Sequence, residues 1–529
     1  MSFVPDTQNK EFQDALNLIQ YTRQSVFLTG KAGTGKSTFL KYICANTKKK
    51  HVVLAPTGIA AINAGGSTLH SFFKLPFYPL LPDDPNFSLQ RGRIHEFFKY
   101  TKPHRKLLEE LELVIIDEIS MVRADIIDAV DRILRVYSRN LREPFGGKQI
   151  LLVGDVFQLE PVVKGDEREI LNRFYPTPYF FSARVFGQID LVSIELQKVY
   201  RQTDSKFIHV LDHIRNNTVG STELQLLNTR YGTQIEQSEA DMYITLATRR
   251  DNVDYINDKK LAELPGDPVT FYGEIMGDFP ESSLPTSQEL VLKPGAQIIF
   301  IKNDFDRRWV NGTIGVISGF DPIEETLYVI TDDGKECDVK RESWRNIRYK
   351  YNEEKKQIEE EELGTFTQYP VRLAWAITVH KSQGLTFSRV VIDFTGGVFA
   401  GGQAYVALSR CTSLEGIQLK KPISRADVFV RPEIVSFSER FNNRTAIDRA
   451  LKQAQADVQY VAAAKAFDKG DFGTFLDEFF KAIHSRYDIE KPNVQRLIRR
   501  KLNIINRLKE ENRALKQAAL EKEKALVKY

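Results

Sequence analysis

Short apolar runs alternate with amphipathic stretches in the first third of the chain. Apolar runs bounded by turn residues occur at residues 25–28, 51–55, 113–116 and 149–153. Between them, residues 37–45 and 124–137 carry apolar side chains three and four positions apart, the spacing of one helix face. Buried strands that alternate with helices predict a parallel sheet covered by helices on both faces.

A second series of this kind is expected from residue 191 to residue 257, and it resumes near Ala374, where AWAITVHKSQG precedes RVVIDF. Between the two pieces, β-rich runs such as AQIIFIKN and TLYVITDD predict a small inserted β domain. The charged run EEKKQIEEEE, residues 353–362, is typical of a solvent-exposed helix or hairpin.

The whole pattern predicts an α/β protein with four parts. A first parallel-sheet domain covers residues 1–190, and a second covers residues 191–289 and 363–440. The inserted β domain covers residues 290–362, and a helical, basic extension covers residues 441–529.

The extension ends in a heptad-like series of apolar residues that Lys501 and Lys522 interrupt. One seam position would hold Ile498, Ile505, Asn512, Ala519 and Leu526. The other would hold Val494, Leu508 and Leu515. Residues 491–529 include twelve basic and four acidic residues, a local excess of eight positive charges. Three interpretations stay open: a coiled coil of two chains, a DNA contact, and an amphipathic helix packed on its own domain.

Composition excludes several classes of protein. Hydrophobic residues at 42%, charged residues at 27% and a mean hydropathy of −0.33 are typical of a soluble globular protein. No run approaches the roughly 18 apolar residues of a membrane helix, and no secretory or transit leader is evident, so we expect a bacterial or phage cytoplasmic protein. Three scattered cysteines favour a reducing compartment. Because the net charge is only +4, any surface for a polyanion must be local.

A glycine-rich turn follows the first apolar run. Residues 30–37, GKAGTGKS, match the phosphate-loop pattern G-x-x-x-x-G-K-[ST] between a strand and a helix. Glycines let successive backbone N–H groups wrap a phosphate at a helix N-terminus, whose dipole favours anions. Lys36 would reach the β and γ phosphates of ATP, and the Ser37 hydroxyl would bind Mg²⁺. The predicted nucleotide-binding residues of this segment are Gly30, Gly33, Thr34, Gly35, Lys36, Ser37 and Thr38.

Two carboxylates, Asp117 and Glu118, follow the apolar run LVII. Ligands of open α/β sheets gather at the carboxyl ends of the strands. Asp117 would hold Mg²⁺ through water, and Glu118 would polarise the water that attacks the γ phosphate.

Three further residues complete the predicted catalytic set. Gln158 follows the run ILLVGD and can contact both the γ phosphate and the attacking water. Arg201 and Arg410 are assigned to the second α/β unit, from which they would meet the charge that develops on the phosphate. Such an arrangement couples hydrolysis to closure of a cleft between two units.

These segments resemble the petite-integration-frequency (Pif-type) DNA helicases of superfamily 1B. The similarity extends from about Phe12 to Thr412 and includes words in the family order: GKAGTGKST, APTGIAAINAGGSTLHSFF, IIDEISMV, PFGGKQILLVGDVFQLEPV, LQKVYRQ, WVNGTIG, AWAITVHKSQGLTF and YVALSRC. The resemblance implies two RecA-like motor domains, an SH3-like inserted domain, and an adenine-reading role for Gln13. It also implies translocation from 5′ to 3′ on single-stranded DNA, with roles in replication, repair, recombination or telomere maintenance.

The resemblance further places a set of polar residues along a single-strand track. These residues are Thr57, Asn63, Thr68, His70, Thr248, Thr378, His380 and Ser382. Their hydroxyl, amide and imidazole groups suit phosphate contacts that read no sequence, although Thr and His also cap helices and satisfy cores. Phe72 and Phe73 are candidates for packing beside bases.

The chain departs from the family pattern at two places. Glu160 stands where family members commonly have a proline, which would alter a local DNA contact. The strand-splitting wedge is expected near residues 64–105, where the segment from Phe77 to Arg105 has no matching word. Its candidate junction contacts are Arg91, Arg93, Phe97, Phe98, Lys99 and Tyr100.

Three functions are compared. The first is an ATP-driven motor that acts on single-stranded DNA and on forks or structured DNA. Replication proteins are its candidate partners, and it would act as a monomer or as a dimer through the last helix. The second is an ATP switch that grips nucleic acid without unwinding it. The third is a small-molecule kinase, which two α/β units and a β insertion make less suitable.

Overall fold

Six parallel strands form the first sheet in the computed structural model of the chain. These strands are β1 Val26–Gly30, β2 His51–Ala55, β3 Ser67–Thr68, β4 Leu113–Ile116, β5 Gln149–Val153 and β6 Val192–Leu196. Their spatial order is β3-β2-β4-β5-β1-β6. Three of them, β1, β4 and β5, are buried along their whole length, as continuous apolar runs in a covered parallel sheet should be.

Helices cover the first sheet. They are α1 Lys10–Tyr21, α2 Lys36–Asn46, α3 Gly58–Ala64, α4 Leu69–Phe73, α5 Ile94–Phe97, α6 Lys102–Glu110, α7 Ala124–Tyr137 and α8 Gly165–Leu171. Helix α7 has the predicted bounds, and its Ile126, Val130, Ile133 and Leu134 lie in the core of this first lobe. The α/β class is confirmed.

The boundary predicted at residue 190 is wrong. Strand β6 lies after that boundary, yet it pairs in parallel with β1, with Val26 opposite Val192 and Gly30 opposite Leu196. The first sheet therefore continues to Leu196, and residues 191–196 belong to the first lobe.

A second lobe contains a four-stranded parallel sheet. Its first part comprises α9 Ser205–Arg215, α10 Ser221–Asn228, β7 Ile244–Ala247 and α11 Arg250–Glu263. The chain returns to it after a long insertion, through β18 Ala376–Thr378, β19 Val390–Asp393, α12 Gln403–Leu408 and β20 Ile417–Leu419. The strand order is β18-β7-β19-β20, so the two separated parts of the sequence interleave in one sheet. The next helix, α13 Pro432–Ser438, buries Ile434 and Phe437 in the core of the first lobe.

The insertion consists mainly of β-strands, with one short 3-10 helix at Glu281–Ser283, and is wider than the predicted range 290–362. Its strands are β8 Val269–Tyr272, β9 Glu274–Gly277, β10 Glu289–Leu292, β11 Gln297–Phe300, β12 Ile314–Asp321, β13 Thr326–Thr331, β14 Glu336–Val339, β15 Glu342–Asn352, β16 Gln357–Gln368 and β17 Val371–Leu373. Five of them form an antiparallel sheet, β14-β13-β12-β11-β17. Because β8 pairs with β10 and β17 pairs with β11, the insertion extends from residue 269 to residue 373.

Strands β15 and β16 form a long antiparallel pair, and residues 357–362 of the charged run lie in β16 rather than in a helix. This pair fastens the insertion to the first lobe, because Ile347 of β15 is buried in the first lobe's core beside α6. Ile299 and Ile314 of the five-stranded sheet are buried in the core of the second lobe. The insertion is therefore packed into both lobes.

The chain forms two compact units, residues 1–447 and 448–529. The second unit contains most of α14 Arg444–Asp468, together with α15 Phe472–Arg486 and α16 Pro492–Leu526. Ile498 packs against Ala456, Tyr460 and Ala482, and Lys501 is buried over the Phe467 ring with its ammonium bonded to Asp468. The first part of the heptad series is thus packed within its own unit, whereas Leu508 and Leu515 are exposed.

The structure describes residues 6–76, 78–84, 94–163, 165–202, 204–233, 242–306, 308–352, 354, 357–486 and 492–526. Within these ranges no helix combines the length and the apolar character needed to cross a bilayer. The predicted junction residues Arg91 and Arg93 lie outside the described ranges.

Candidate nucleotide site and nucleic-acid track

The phosphate loop joins β1 to α2 and is closed by the segment that follows β6. Gly33 has a φ of +80°, and a Cβ atom there would lie 2.3 Å from the Cβ of Arg201, so only glycine fits. The Tyr200 N–H donates to the Gly33 carbonyl at 2.9 Å. These contacts hold Arg201 directly against the loop.

Lys36, the first residue of α2, folds its side chain back over the loop. Its Nζ donates to the carbonyls of Gly30 at 2.6 Å and Lys31 at 3.0 Å. Burial lowers the pKa of Lys36, and the carboxylates of Asp155 and Glu118 partly oppose this shift. A desolvated ammonium at this position is well placed to exchange the two carbonyls for phosphate oxygens.

Other predicted nucleotide contacts lie around the same loop. Ser37 and Thr38 are in the first turn of α2, and the Thr34 hydroxyl donates to the Lys31 carbonyl at 2.9 Å. Gln13 is exposed on α1, where its Nε2 donates to the Thr7 carbonyl at 2.8 Å. An exposed amide on this helix is available to an adenine ring.

Asp117 and Glu118 follow β4 at its carboxyl end, as predicted. The Glu118 N–H donates to Oδ1 of Asp117 at 2.9 Å. Burial raises the pKa of both carboxyls, and that of Glu118 reaches about 7 because burial and the Asp117 charge outweigh the attraction of Lys36 and Arg410. A carboxyl that titrates near neutral pH suits a general base. Asp117 and Ser37 together offer the hard oxygen ligands that Mg²⁺ prefers.

Gln158 is buried in the loop after β5, and its N–H donates to the Asp155 carbonyl at 3.0 Å. The N-terminus of α12 presses on this loop from the second lobe. A Cβ atom at Gly402, which has a φ of +78°, would lie 2.3 Å from the Phe157 carbonyl oxygen. The loop that carries Gln158 therefore contacts the helix that leads to Arg410.

Arg410 is 1% exposed, and within the described part of the chain its guanidinium donates hydrogen bonds to neutral oxygens. It donates to the carbonyls of Val406, Ser382 and Leu385 and to the Ser409 hydroxyl. Burial lowers its pKa. A buried cation with only neutral partners fits an anion such as the γ phosphate.

Arg201 lies beside Arg410 but does not belong to the second lobe, so that assignment is wrong. It follows β6 in the connection to α9, and its Nη2 donates to the Gly384 carbonyl at 3.4 Å. Burial and the Arg410 charge lower its pKa to about 9. Among the described residues its buried Nη1 has no hydrogen-bond partner, so this nitrogen is available to a phosphate oxygen.

Two residues that the sequence analysis missed close the cleft between the lobes. Arg215 of α9 pairs with Asp155 at 3.1 Å and Glu195 at 2.9 Å, both in the first lobe. The Tyr405 hydroxyl of α12 accepts the Ala32 N–H of the phosphate loop at 3.0 Å. Tyr405 stands in the word YVALSRC and so had a sequence signal, whereas Arg215 stands in no recognised word.

The track residues of the first lobe follow β2 and β3, which are neighbours in the sheet. Thr57 caps α3 by accepting the Ala60 N–H, and Thr68 caps α4 by accepting the Ser71 N–H. Asn63 is exposed and meets Asn311 of the inserted β domain at 3.5 Å. Burial lowers the pKa of His70, which favours a neutral imidazole.

The track residues of the second lobe follow the neighbouring strands β7 and β18. Thr248 and Thr378 are largely buried, and His380 is half-buried with its ring stacked on Phe399 at 6.2 Å. Burial lowers the pKa of His380. Each lobe thus presents polar groups at the carboxyl ends of two adjacent strands.

Ser382 does not reach the surface, so the structure does not support it as a direct DNA contact. It is fully buried, and its hydroxyl donates to the Val379 carbonyl at 2.8 Å. Its own carbonyl accepts a hydrogen bond from Arg410 at 3.4 Å. Ser382 therefore links the track segment to the nucleotide arginine.

The aromatic residues proposed to contact bases or the duplex junction are mostly core residues. Phe72, Phe73, Phe98 and Tyr100 are at most 4% exposed and lie in the first lobe's core. The Tyr100 hydroxyl donates to the Phe73 carbonyl. Their predicted DNA roles are wrong for this conformation, because tertiary packing covers all four rings.

Glu160, the departure from the family pattern, is held by an ion pair. Its two carboxylate oxygens accept from Nε of Arg431 at 2.6 Å and from Nη2 at 3.1 Å. The Tyr179 hydroxyl donates to the same carboxylate at 3.2 Å. The acidic side chain thus ties the loop after β5 to the segment that precedes α13.

Glu160→Gln is expected to lower the thermal stability of the protein and to leave its affinity for single-stranded DNA within about twofold. A partly buried bidentate pair contributes about 1–2 kcal/mol, between the values for exposed and buried pairs. Thermal melting and fluorescence anisotropy on one preparation test this, with Arg431→Met expected to cause a similar loss of stability. A weaker DNA affinity at unchanged melting temperature would show instead that Glu160 contacts DNA.

The sequence of the chain is similar to that of known helicases. The profile of the PIF1-like helicase family matches residues 4–225. The human ATP-dependent DNA helicase PIF1 is 33% identical over 415 residues, which cover 75% of this chain and 58% of the human protein. The ATP-dependent DNA helicase Pif1 of Bdellovibrio bacteriovorus is 31% identical over 439 residues, which cover 82% of this chain and 91% of that protein. The chain thus spans less than two thirds of the human relative's length.

Solved structures show the same similarity. The crystal structure of Bacteroides sp Pif1 in complex with ADP-AlF4 matches with a TM-score of 0.74 and 42% identity, and covers 81% of this chain and 96% of that one. The crystal structure of Bacteroides Pif1 bound to ssDNA matches with a TM-score of 0.59 and 42% identity, and covers 83% of this chain and 97% of that one. The similarity in fold therefore includes roughly four fifths of the chain.

Proposed function

The chain belongs to the PIF1-like helicase family, and from that membership we propose that it is an ATP-driven motor that moves along single-stranded DNA and separates duplexes. The observation that carries the proposal is the convergence of Arg410, Arg201 and Glu118 on the phosphate loop. Arg410 comes from the second lobe and Glu118 from the first, so hydrolysis requires a closed cleft.

In this mechanism the residues of the loop and the strand ends have separate tasks. Lys36 holds the β and γ phosphates, and Glu118 accepts the proton of the attacking water. Arg201 and Arg410 stabilise the charge on the γ phosphate, and Gln158 reports its loss to α12 through the contact at Gly402. Mg²⁺ held by Ser37 and Asp117 would neutralise charge on the phosphate oxygens.

The nucleic-acid substrate is single-stranded DNA and its junction with a duplex. The track residues at the ends of the β-strands in both lobes support this proposal. When two lobes that each hold the DNA move relative to one another, the DNA moves with respect to the protein. One related structure is titled as Bacteroides Pif1 bound to ssDNA, and another concerns unwinding at forked dsDNA by two coordinating Pif1 helicases. The direction from 5′ to 3′ is part of the proposal and rests on the family resemblance.

An ATP switch that binds DNA without unwinding it is the second candidate. The burial of Phe98 and Tyr100 favours this alternative, because these residues were proposed for the element that splits the strands. Helix α16, with its local excess of basic residues, remains a candidate for an accessory DNA contact or for pairing two chains. Replication proteins as partners and a bacterial or phage cytoplasm also remain predictions.

A strand-displacement assay separates the two candidates. We expect the protein and ATP to release the labelled strand from a duplex with a 5′ single-stranded tail and to leave a 3′-tailed duplex intact. Glu118→Gln is the control, because it keeps the loop and the track but removes the base. ATP hydrolysis that is stimulated by DNA without release of either strand would favour the switch, and release from the 3′-tailed duplex alone would overturn the direction.

A further inference from the structure

Two histidines and a glutamate outside the nucleotide site meet at the surface of the second lobe. His209 and His213 lie one turn apart on α9, and Glu223 lies in the first turn of α10. One ligand atom of each residue lies within 4.8 Å of the other two. The two imidazoles approach most closely, with an Nε2 to Nε2 distance of 3.2 Å.

The distance between the two Nε2 atoms is close to the distance between two nitrogen ligands of one metal ion. Two nitrogen ligands at about 2.0–2.1 Å from a tetrahedral zinc ion lie about 3.3–3.4 Å apart. Histidines four residues apart on one helix face are a common source of two such ligands. The imidazole pair therefore needs little rearrangement to hold an ion.

Neighbouring groups orient two of the three ligands. Nδ1 of His213 lies 3.2 Å from the Thr218 carbonyl and 3.0 Å from the Thr218 hydroxyl, whose own proton can go to the His213 carbonyl. Both oxygens can accept a proton carried on Nδ1, and this tautomer leaves the lone pair on Nε2. Metal-bound histidines are typically oriented by such an outer hydrogen bond. Oε2 of Glu223 accepts the Gly220 N–H at 2.8 Å, which fixes the carboxylate beside the imidazoles.

We propose that His209, His213 and Glu223 form a binding site for a transition-metal ion of the zinc class, with water at the remaining positions. Imidazole ligands favour Zn²⁺, Co²⁺ or Ni²⁺ over Mg²⁺ and Ca²⁺, so this site and the Ser37–Asp117 site select different ions.

The site is joined to the nucleotide loop through α9. Asp212, next to His213, pairs with Lys31 of the phosphate loop at 2.6 Å. Arg215 on the same helix pairs with Asp155 of the first lobe. A bound ion ties α9 to α10 across residues 216–220 and thereby stiffens the helix that makes these contacts.

Cobalt is a suitable probe, because its visible absorption reports the ligand set and it replaces zinc. We expect the full chain, in excess Mg²⁺, to bind one Co²⁺ at this site with an absorption change that Zn²⁺ reverses. His209→Asn should abolish that change. Glu223→Gln, whose amide oxygen still accepts the Gly220 N–H, should weaken Co²⁺ binding by about tenfold or more.

His484→Asn is the matched control, since His484 is an exposed histidine on α15 outside the cluster. Its Co²⁺ titration should equal that of the unmodified chain. Equal titrations of the unmodified chain and His209→Asn would overturn the proposal, as would an equal loss in His484→Asn. Circular dichroism of each variant confirms that α9 is intact.

Discussion

Lys36→Ala is expected to abolish DNA-stimulated ATP hydrolysis, with a loss on the order of 10³-fold or more. The Lys36 ammonium is the cation that sits over the phosphate loop, 2.6 Å from the Gly30 carbonyl. Without it, the charge that develops on the γ phosphate loses its nearest partner. Binding of single-stranded DNA should persist, because the track residues lie at the ends of β2, β3, β7 and β18 and not in the phosphate loop. Steady-state ATPase assays and anisotropy with a labelled oligonucleotide measure both quantities.

Lys41→Ala provides the control on the same helix, because Lys41 is exposed on α2. Both activities of this variant should match those of the unmodified protein. Retained turnover in Lys36→Ala would show that the phosphate loop is not the hydrolytic site. A parallel loss of DNA binding would mean that the nucleotide site and the track are not separate surfaces.

Arg410→Ala is expected to leave ATP binding within a few-fold and to slow hydrolysis of bound ATP by about 10³-fold, as for other arginine fingers. Its guanidinium is buried, and the Glu118 carboxylate acts on it across the cleft. Single-turnover hydrolysis and equilibrium binding of a fluorescent nucleotide separate the two effects. Arg410→Lys should recover only part of the rate, because an ammonium keeps the charge but loses the planar fork.

Because Arg410 also bonds the backbone of residues 382–385, its removal can disturb local folding. Thermal melting of Arg410→Ala, with the exposed Arg440→Ala as the control, detects such a change. Loss of nucleotide binding with an unchanged rate for bound ATP would contradict a role in the transition state.

The sequence predicted the candidate site best where residues of the required chemistry lie close together in the chain and beside a strand. The phosphate loop and the Asp117–Glu118 pair are local patterns beside a strand, and the parallel sheet brings them to one edge. Arg215 could not be predicted in this way, because its partner Asp155 is 60 residues away in another lobe. An ion pair across a cleft leaves no local pattern.

The sequence pattern also could not predict how deeply a side chain is buried or which sheet a strand joins. Phe72 lies at the end of a family word and Phe98 lies in a segment without one, yet in both cases only packing decides whether the ring faces the core or DNA. Strand β6 is a short apolar run that fits either sheet by its composition, and its pairing with β1 settles the matter. Glu160 was noticed as an unusual residue, but its partner Arg431 lies 271 residues further along the chain.

The inserted β domain forms a strap between the two lobes. Ile347 anchors one end in the first lobe, and Ile299 and Ile314 anchor the other end in the second lobe. Any rotation that parts the lobes must bend the β15–β16 hairpin, whose pairing is already irregular between Asn346 and Ile347, or pull Ile347 from its core. Withdrawing one such side chain costs about 1.5–3 kcal/mol, so a fully detached strap is a rare state. The length and stiffness of this hairpin therefore limit how far the cleft between the lobes can open.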